Sequence, residues 1–143
     1  MVQVVVHPEA AHHISGLVGG WYDSELSAKG RRHADVIAQA LRQEHPTATT
    51  PEVFCSDLVR ARQTATPIAA AFDVSPTYDW RLREKSYGAA EGRPQDWLDA
   101  RFIAPPVVGD RMTHAEGVDG AETRAEFAAR IYAAMDEIVA SPS

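Results

Sequence analysis

Glu52-Val53-Phe54-Cys55-Ser56-Asp57-Leu58-Val59-Arg60-Ala61-Arg62-Gln63-Thr64-Ala65 changes its period halfway along. Up to Cys55 it is a short apolar run, the pattern of a buried strand. Beyond Leu58 the residues Ala61, Ala65, Ile68 and Phe72 recur at helical spacing, which predicts a helix from about Leu58 to Phe72. A strand that passes into a helix through only Ser56-Asp57 is half of a parallel crossover unit. Pro67 falls inside the helix, where it removes a backbone N–H and predicts a kink or a weak point.

The flanking sequence repeats the pattern. Val2 to Val6 is β-branched, nearly continuous and ended by Pro8, and reads as a buried strand. It would deliver His7 into a long polar loop at a strand's C-terminal edge, where open α/β sheets place their active sites. Loops as long as Pro8 to Leu26 are usually functional or disordered. Ser27 is placed to cap a helix from about Ala28 to Glu44, with Ala34, Ile37, Ala38 and Leu41 on one face. A Thr-rich connector occupies residues 46–51, and Pro76 to Tyr78 reads as a third, short strand. Trp80 to Arg111 is irregular and reads as an excursion over the edge of the sheet. Thr123-Arg124-Ala125-Glu126 has capping-box spacing and opens a helix to about Ala140, with Phe127, Ile131, Ala134, Met135 and Ile138 as its apolar stripe. The expectation is an α/β fold of three layers, αβα, around a mainly parallel sheet.

A chain of 143 residues carries one domain with a sizeable core. The net charge of −6 argues against nucleic acid or an anionic membrane as a partner, while leaving room for a small phosphorylated substrate in a local basic pocket. Cys55 is the only cysteine, so no intrachain disulfide forms and a reducing cytoplasm is expected. No apolar run reaches the length of a signal-peptide core or a membrane span. A homo-oligomer is compatible with this composition.

Five blocks, in order along the chain, resemble the histidine phosphatase superfamily in its phosphoglycerate-mutase-like branch. The family's Leu-Val-Arg-His-Gly-Glu is similar to Val4-Val5-Val6-His7-Pro8-Glu9. Its Gly-Trp-x-Asp turn and Leu-[Ser/Thr]-x-x-Gly match Gly20-Trp21-Tyr22-Asp23 and Leu26-Ser27-Ala28-Lys29-Gly30. Its Ser-[Ser]-x-Leu-x-Arg-Ala-x-Gln-Thr-Ala block appears at Cys55 to Ala65. Leu-x-Glu-x-x-Tyr-Gly-x-x-Glu-Gly appears at Leu82 to Gly92, and the late Gly-x-Glu-[Ser/Thr] at Gly120-Ala121-Glu122-Thr123.

The resemblance implies that His7 becomes phosphorylated, Arg60 binds the phosphoryl group, and Glu84 gives a proton to the leaving oxygen. Gly20 would offer a backbone N–H to the phosphate, and His13 stands where the family commonly has Asn in the first loop. It implies no metal and no cofactor. The spacing of His7, Glu9, His12 and His13 is likewise not the helical His-Glu-x-x-His of zinc sites. The two departures in the first motif are Val6 for its arginine and Pro8 for its glycine. Pro8 retains the carbonyl that in the family orients the histidine ring.

The family also ends in a strand bearing Ser-His-Gly, which does not appear before Ser143. A single histidine-phosphatase-like domain over residues 1–143, lacking its C-terminal portion, is therefore expected. One side of Val2–Val6 and the apolar face of the last helix would then want partners. The implied activity is hydrolysis of a small phosphomonoester through a phosphohistidine. The alternative is a catalytically impaired pseudophosphatase that binds a phosphorylated ligand or a protein partner. Among the remaining residues, His12 and His13 read as solvent-exposed loop histidines. Trp21, Trp80 and Trp97 read as packing residues, Arg62 as structural, and Cys55 as a buried, inert thiol.

Overall fold

The computed structural model of the protein describes residues 1–46 and 50–141, so half of the Thr-rich connector, residues 47–49, lies outside the described residues. The elements run α1 (Ala11–Ser15), α2 (Ala28–Glu44), β1 (Phe54–Cys55), α3 (Val59–Ala71), β2 (Thr77–Tyr78), α4 (Gln95–Asp99) and α5 (Arg124–Ala140). Short 3-10 turns cover Trp80–Leu82 and Gly88–Ala90. It is an α/β fold. Among the described residues the sheet comprises β1 and β2, which are parallel, with Phe54 opposite Thr77 and Cys55 opposite Tyr78.

The long helices begin where side chains satisfy their free N–H groups. Ser27 accepts from Gly30 N at 3.0 Å. At α5, Thr123 accepts from Glu126 N at 3.1 Å while Glu126 accepts from Thr123 N at 3.0 Å, a reciprocal capping box. Ala34 and Ala38 of α2 and Ala65, Ile68 and Ala69 of α3 are buried, and these small side chains let the two helices lie close together. Gly30 brings the first turn of α2 against the chain leaving His7. A Cβ there would stand 2.0 Å from the Glu9 carbonyl oxygen. A second small core, Val18, Ala90 and Leu98 with Tyr87, Trp97 and Val118 against it, closes the region between the first loop and α4. On α5, Ala134 is fully buried and the rest of the predicted stripe is half-buried. Pro67 is accommodated within α3.

One reading is corrected. Val2–Val6 is neither buried nor in a ladder. Val2, Val4, Val5 and Val6 are all exposed, and the recorded side-chain bonds of this segment run from Gln3 to Glu44 and His45. β propensity produces a strand only where another backbone stands alongside to accept the ladder, and among the described residues none does. The first loop, by contrast, is more ordered than its length suggested. It holds α1 and two isolated bridges, Ala10 to Leu26 and Leu17 to Pro94. Among the described residues no helix is long and apolar enough to cross a membrane.

Candidate active site

His7 lies directly after the extended N-terminal segment, and its Nδ1 is 2.7 Å from the Pro8 carbonyl. A carbonyl only accepts, so Nδ1 carries the proton and Nε2 presents its lone pair outward. A proline at this position loses its N–H and keeps what the histidine uses.

Arg60 sits in the first turn of α3, immediately beyond the C-terminal end of β1, and its side chain is only 1% exposed. Its Nε donates to His7 Nε2 at 3.3 Å. Nη1 donates to the Tyr22 carbonyl at 2.7 Å, and Nη2 to the Gly20 carbonyl at 2.5 Å and to Glu84 Oε2 at 2.8 Å. A buried guanidinium needs this many acceptors, because an unpaired one is strongly destabilising.

Glu84 follows the 3-10 turn at Trp80–Leu82, and its Oε2 lies 3.7 Å from His7 Nε2. Its Oε1 accepts from Gly20 N at 3.3 Å. Partial burial works to raise the carboxyl, but the bond and charge of the Arg60 guanidinium, joined by His7 whenever its ring is protonated, outweigh it and hold the group at about 2. Gly20 has φ +59°, and a Cβ there would press on Tyr87 and Glu91 at 3.2 Å. Only glycine brings a backbone N–H so close to the carboxylate without strain. His7, Arg60, Glu84 and Gly20 therefore meet at one point, although their elements are far apart in sequence.

His13 joins them from α1. Its ring stacks 5.9 Å from that of His7, and its Nδ1 accepts from Ala10 N at 3.0 Å, so the neutral ring keeps an Nε2–H to donate. His12 was expected to be exposed and is instead 5% exposed, with Nδ1 2.5 Å from Ser24 Oγ. Its one-residue offset from His13 on the short helix turns it inward. Burial, followed by the proximity of His13 and of the Arg60 guanidinium, depresses its pKa to about 4. A cleft of about 240 Å³ opens beside the cluster, with His12, His13, Gly20, Glu84, Tyr87 and Gln95 among its walls. Glu84 and Gly20 belong to both cleft and cluster. The exposed Val6 brings no charge to it.

The surrounding arginines have other partners. Arg83 pairs with Asp57 at 2.6 Å, and Arg81 with Asp79 and Glu137. Arg62 donates to the Asp57 carbonyl at 2.9 Å, and burial pushes the Cys55 thiol up to about 11. Sequence reading missed His12, Tyr87 and Gln95 as cleft residues, and it missed Arg130. The signal for Arg130 was present. It stands three residues from Phe127 and four from Ala134, on the inward stripe of an otherwise apolar helix face, where a charge requires a partner. The arrangement combines a fixed cation, a lone-pair nitrogen and a carboxylate, which together can bind an anion and transfer a group with its proton.

Comparison with known proteins agrees. A probable phosphoglycerate mutase of Yersinia pestis is 33% identical over 147 residues, covering 99% of this chain and 64% of the relative. The chain thus spans just under two thirds of the length of such curated relatives. Among solved structures, a mycobacterial glucosyl-3-phosphoglycerate phosphatase in complex with inorganic phosphate superposes with a TM-score of 0.72. It is 28% identical, over 94% of this chain and 60% of that one. The same enzyme with VO3 gives a TM-score of 0.76 at 29% identity, over 94% and 65%. The sequence model of the histidine phosphatase superfamily (branch 1) matches residues 3–143, and the chain belongs to that superfamily.

Proposed function

We propose that this chain hydrolyses a small phosphomonoester in two steps through a phosphohistidine on His7. The observation that carries the reading is the contact set of His7 Nε2. Its lone pair faces Arg60 Nε at 3.3 Å and Glu84 Oε2 at 3.7 Å, with the opposite ring nitrogen tied to the Pro8 carbonyl. In the first step Nε2 attacks phosphorus, the P–O ester bond breaks, and the protonated Glu84 gives its proton to the departing alkoxide. In the second, Glu84, now a carboxylate, takes a proton from water as that water attacks phosphorus. The P–N bond breaks and inorganic phosphate leaves.

Resting Glu84 is ionised, so it must gain its proton as substrate binds. A phosphoryl group competing for Arg60 removes the hydrogen bond that keeps the carboxyl acidic, and a phosphomonoester monoanion supplies the proton. The Gly20 N–H, released from Glu84 Oε1, and the His13 Nε2–H are donors within the same cleft. A structurally similar mycobacterial phosphatase forms complexes with inorganic phosphate and with VO3, which supports anion binding by a protein of this fold. Hydrolysis is favoured over a mutase reading because the segment after Tyr87 is short for a large closing lid. Cytoplasmic residence belongs to the same proposal and is supported by the lone Cys55.

The second reading, an impaired protein that binds a phosphorylated ligand or partner without turning it over, is favoured by Val6 at the motif's arginine position. Turnover of p-nitrophenyl phosphate at mildly acidic pH separates the two. Hydrolysis that disappears in His7→Ala, with an acid-labile phosphoenzyme trapped in the wild type, supports the enzyme. Residual activity equal in both proteins removes His7 from the reaction.

A further inference from the structure

The segment that presents Glu84 is held almost entirely by side chains from elsewhere. Residues 83–86 follow the 3-10 turn at Trp80–Leu82, and among the described residues no β ladder involves them. Their backbone groups therefore need partners from outside, and three residues supply them. Arg130, on α5, donates from Nη1 to the Arg81 carbonyl at 2.8 Å and the Arg83 carbonyl at 2.6 Å, and from Nη2 to the Glu84 carbonyl at 2.6 Å. Trp21 Nε1 donates to the same Glu84 carbonyl at 2.9 Å. Glu122 accepts from Arg130 Nε at 2.6 Å and Nη2 at 2.8 Å, and from the Ser86 backbone N–H at 2.8 Å, while its own N–H donates to the Ser86 carbonyl at 3.0 Å.

The Arg130–Glu122 pair thus grips the chain on both sides of Glu84. Both side chains are well shielded, at 9% and 14% exposure. Two guanidinium groups pack on the Trp21 ring, Arg83 at 4.9 Å and Arg130 at 5.5 Å from its centroid. Trp21 is also the neighbour of Gly20, whose N–H meets the Glu84 carboxylate. One side chain therefore fixes the register of the carboxylate's backbone against the loop that contacts its oxygens.

We infer that Arg130, held by Glu122 and backed by Trp21, is the positioning residue that aims Glu84 at the leaving-group oxygen. The inference rests on Glu84 acting as the proton donor. Arg130 touches neither substrate nor reacting atoms; its effect is transmitted through the Glu84 backbone. A planar fork donating to three carbonyls and a carboxylate cannot be replaced by the point charge of lysine.

The test uses the dependence on leaving group. A p-nitrophenolate leaves without a proton, whereas an alkoxide needs one. Arg130→Met should lower kcat/KM for glycerol phosphate by roughly 10-fold or more, as loss of an aimed general acid does, and leave that for p-nitrophenyl phosphate little changed. Trp21→Phe, which deletes only the indole N–H and keeps the ring, should show the same selectivity more weakly. Equal loss on both substrates in Arg130→Met and Trp21→Phe, or no loss on either, overturns the inference. Glu84→Gln is the control. If it is itself unselective, the proton-donor reading fails separately. Positioning is then read from the Gly20 amide 15N resonance, because that amide donates to Glu84. A shift of this resonance in Arg130→Met supports positioning, and an unmoved one overturns it.

Discussion

At the scale of single residues, the site sets the His7 ring, the nucleophile of the proposed reaction, between a permanent cation and a carboxylate that the cation keeps ionised. Val6 is the departure with the clearest consequence. It is 76% exposed, so an arginine there meets water rather than a buried, unpaired fate. Val6→Arg should raise turnover of an aryl phosphate, by up to ~100-fold if the new guanidinium reaches the phosphoryl oxygens, as one preorganised donor typically contributes. Steady-state kinetics against a His7→Ala background reads this, and unchanged turnover in a folded variant refutes it. His12 makes a prediction about stability. Its pKa in the folded chain is depressed to about 4 from 6.5, so between those values the unfolded chain takes up a proton that the folded chain refuses. Stability should be level above pH 6.5 and fall as pH drops through the window, by an amount on the order of 3 kcal/mol. His12→Gln should flatten that slope in urea denaturation series at pH 7, 5.5 and 4.

At the scale of elements, what could be read in the sequence was what is encoded locally. Ser27 and Thr123 fixed the starts of α2 and α5 because a cap is a contact within one turn, and the apolar stripes of α2, α3 and α5 needed only helical geometry. Val2–Val6 shows the limit. Its residues favour a strand, yet a strand is a relation between two backbones and no spacing within one segment reports the other. Gly30 shows a second limit, since helix propensity alone makes it a defect. Gly30→Ala should stabilise an isolated α2 by ~1 kcal/mol. In the folded chain the new methyl collides with the Glu9 carbonyl at 2.0 Å, a backbone group that cannot rotate out of the way. The substitution should therefore destabilise the protein by about 1–3 kcal/mol, the range of overpacking. Thermal unfolding gives the sign directly, and a raised midpoint would contradict the close approach.

At the scale of the whole molecule, the cluster is assembled from four separate stretches: the chain end bearing His7, the loop at Gly20, the start of α3, and the segment at Glu84. The family motifs made His7, Arg60, Gly20 and Glu84 legible because each is marked by its neighbours in sequence. His12 carries no such mark, since its role comes from burial that only the folded chain reveals, and Arg130 is marked only by its place on the apolar stripe of α5, which says that it needs a partner but not which one. Arg60 is the joint of this assembly. Two of its acceptors, the Gly20 and Tyr22 carbonyls, are backbone groups of the first loop, and neither takes part in phosphoryl chemistry. The guanidinium therefore serves as a rivet, in addition to the anion-binding role proposed for it. A descendant that had abandoned catalysis would still need it to keep that loop closed, and its persistence would record architecture rather than activity. His7, whose recorded bonds are confined to Pro8, Arg60 and Glu84, is under no comparable obligation. Drift in a lineage that has ceased to turn over phosphate should surface first at His7 and last at Arg60.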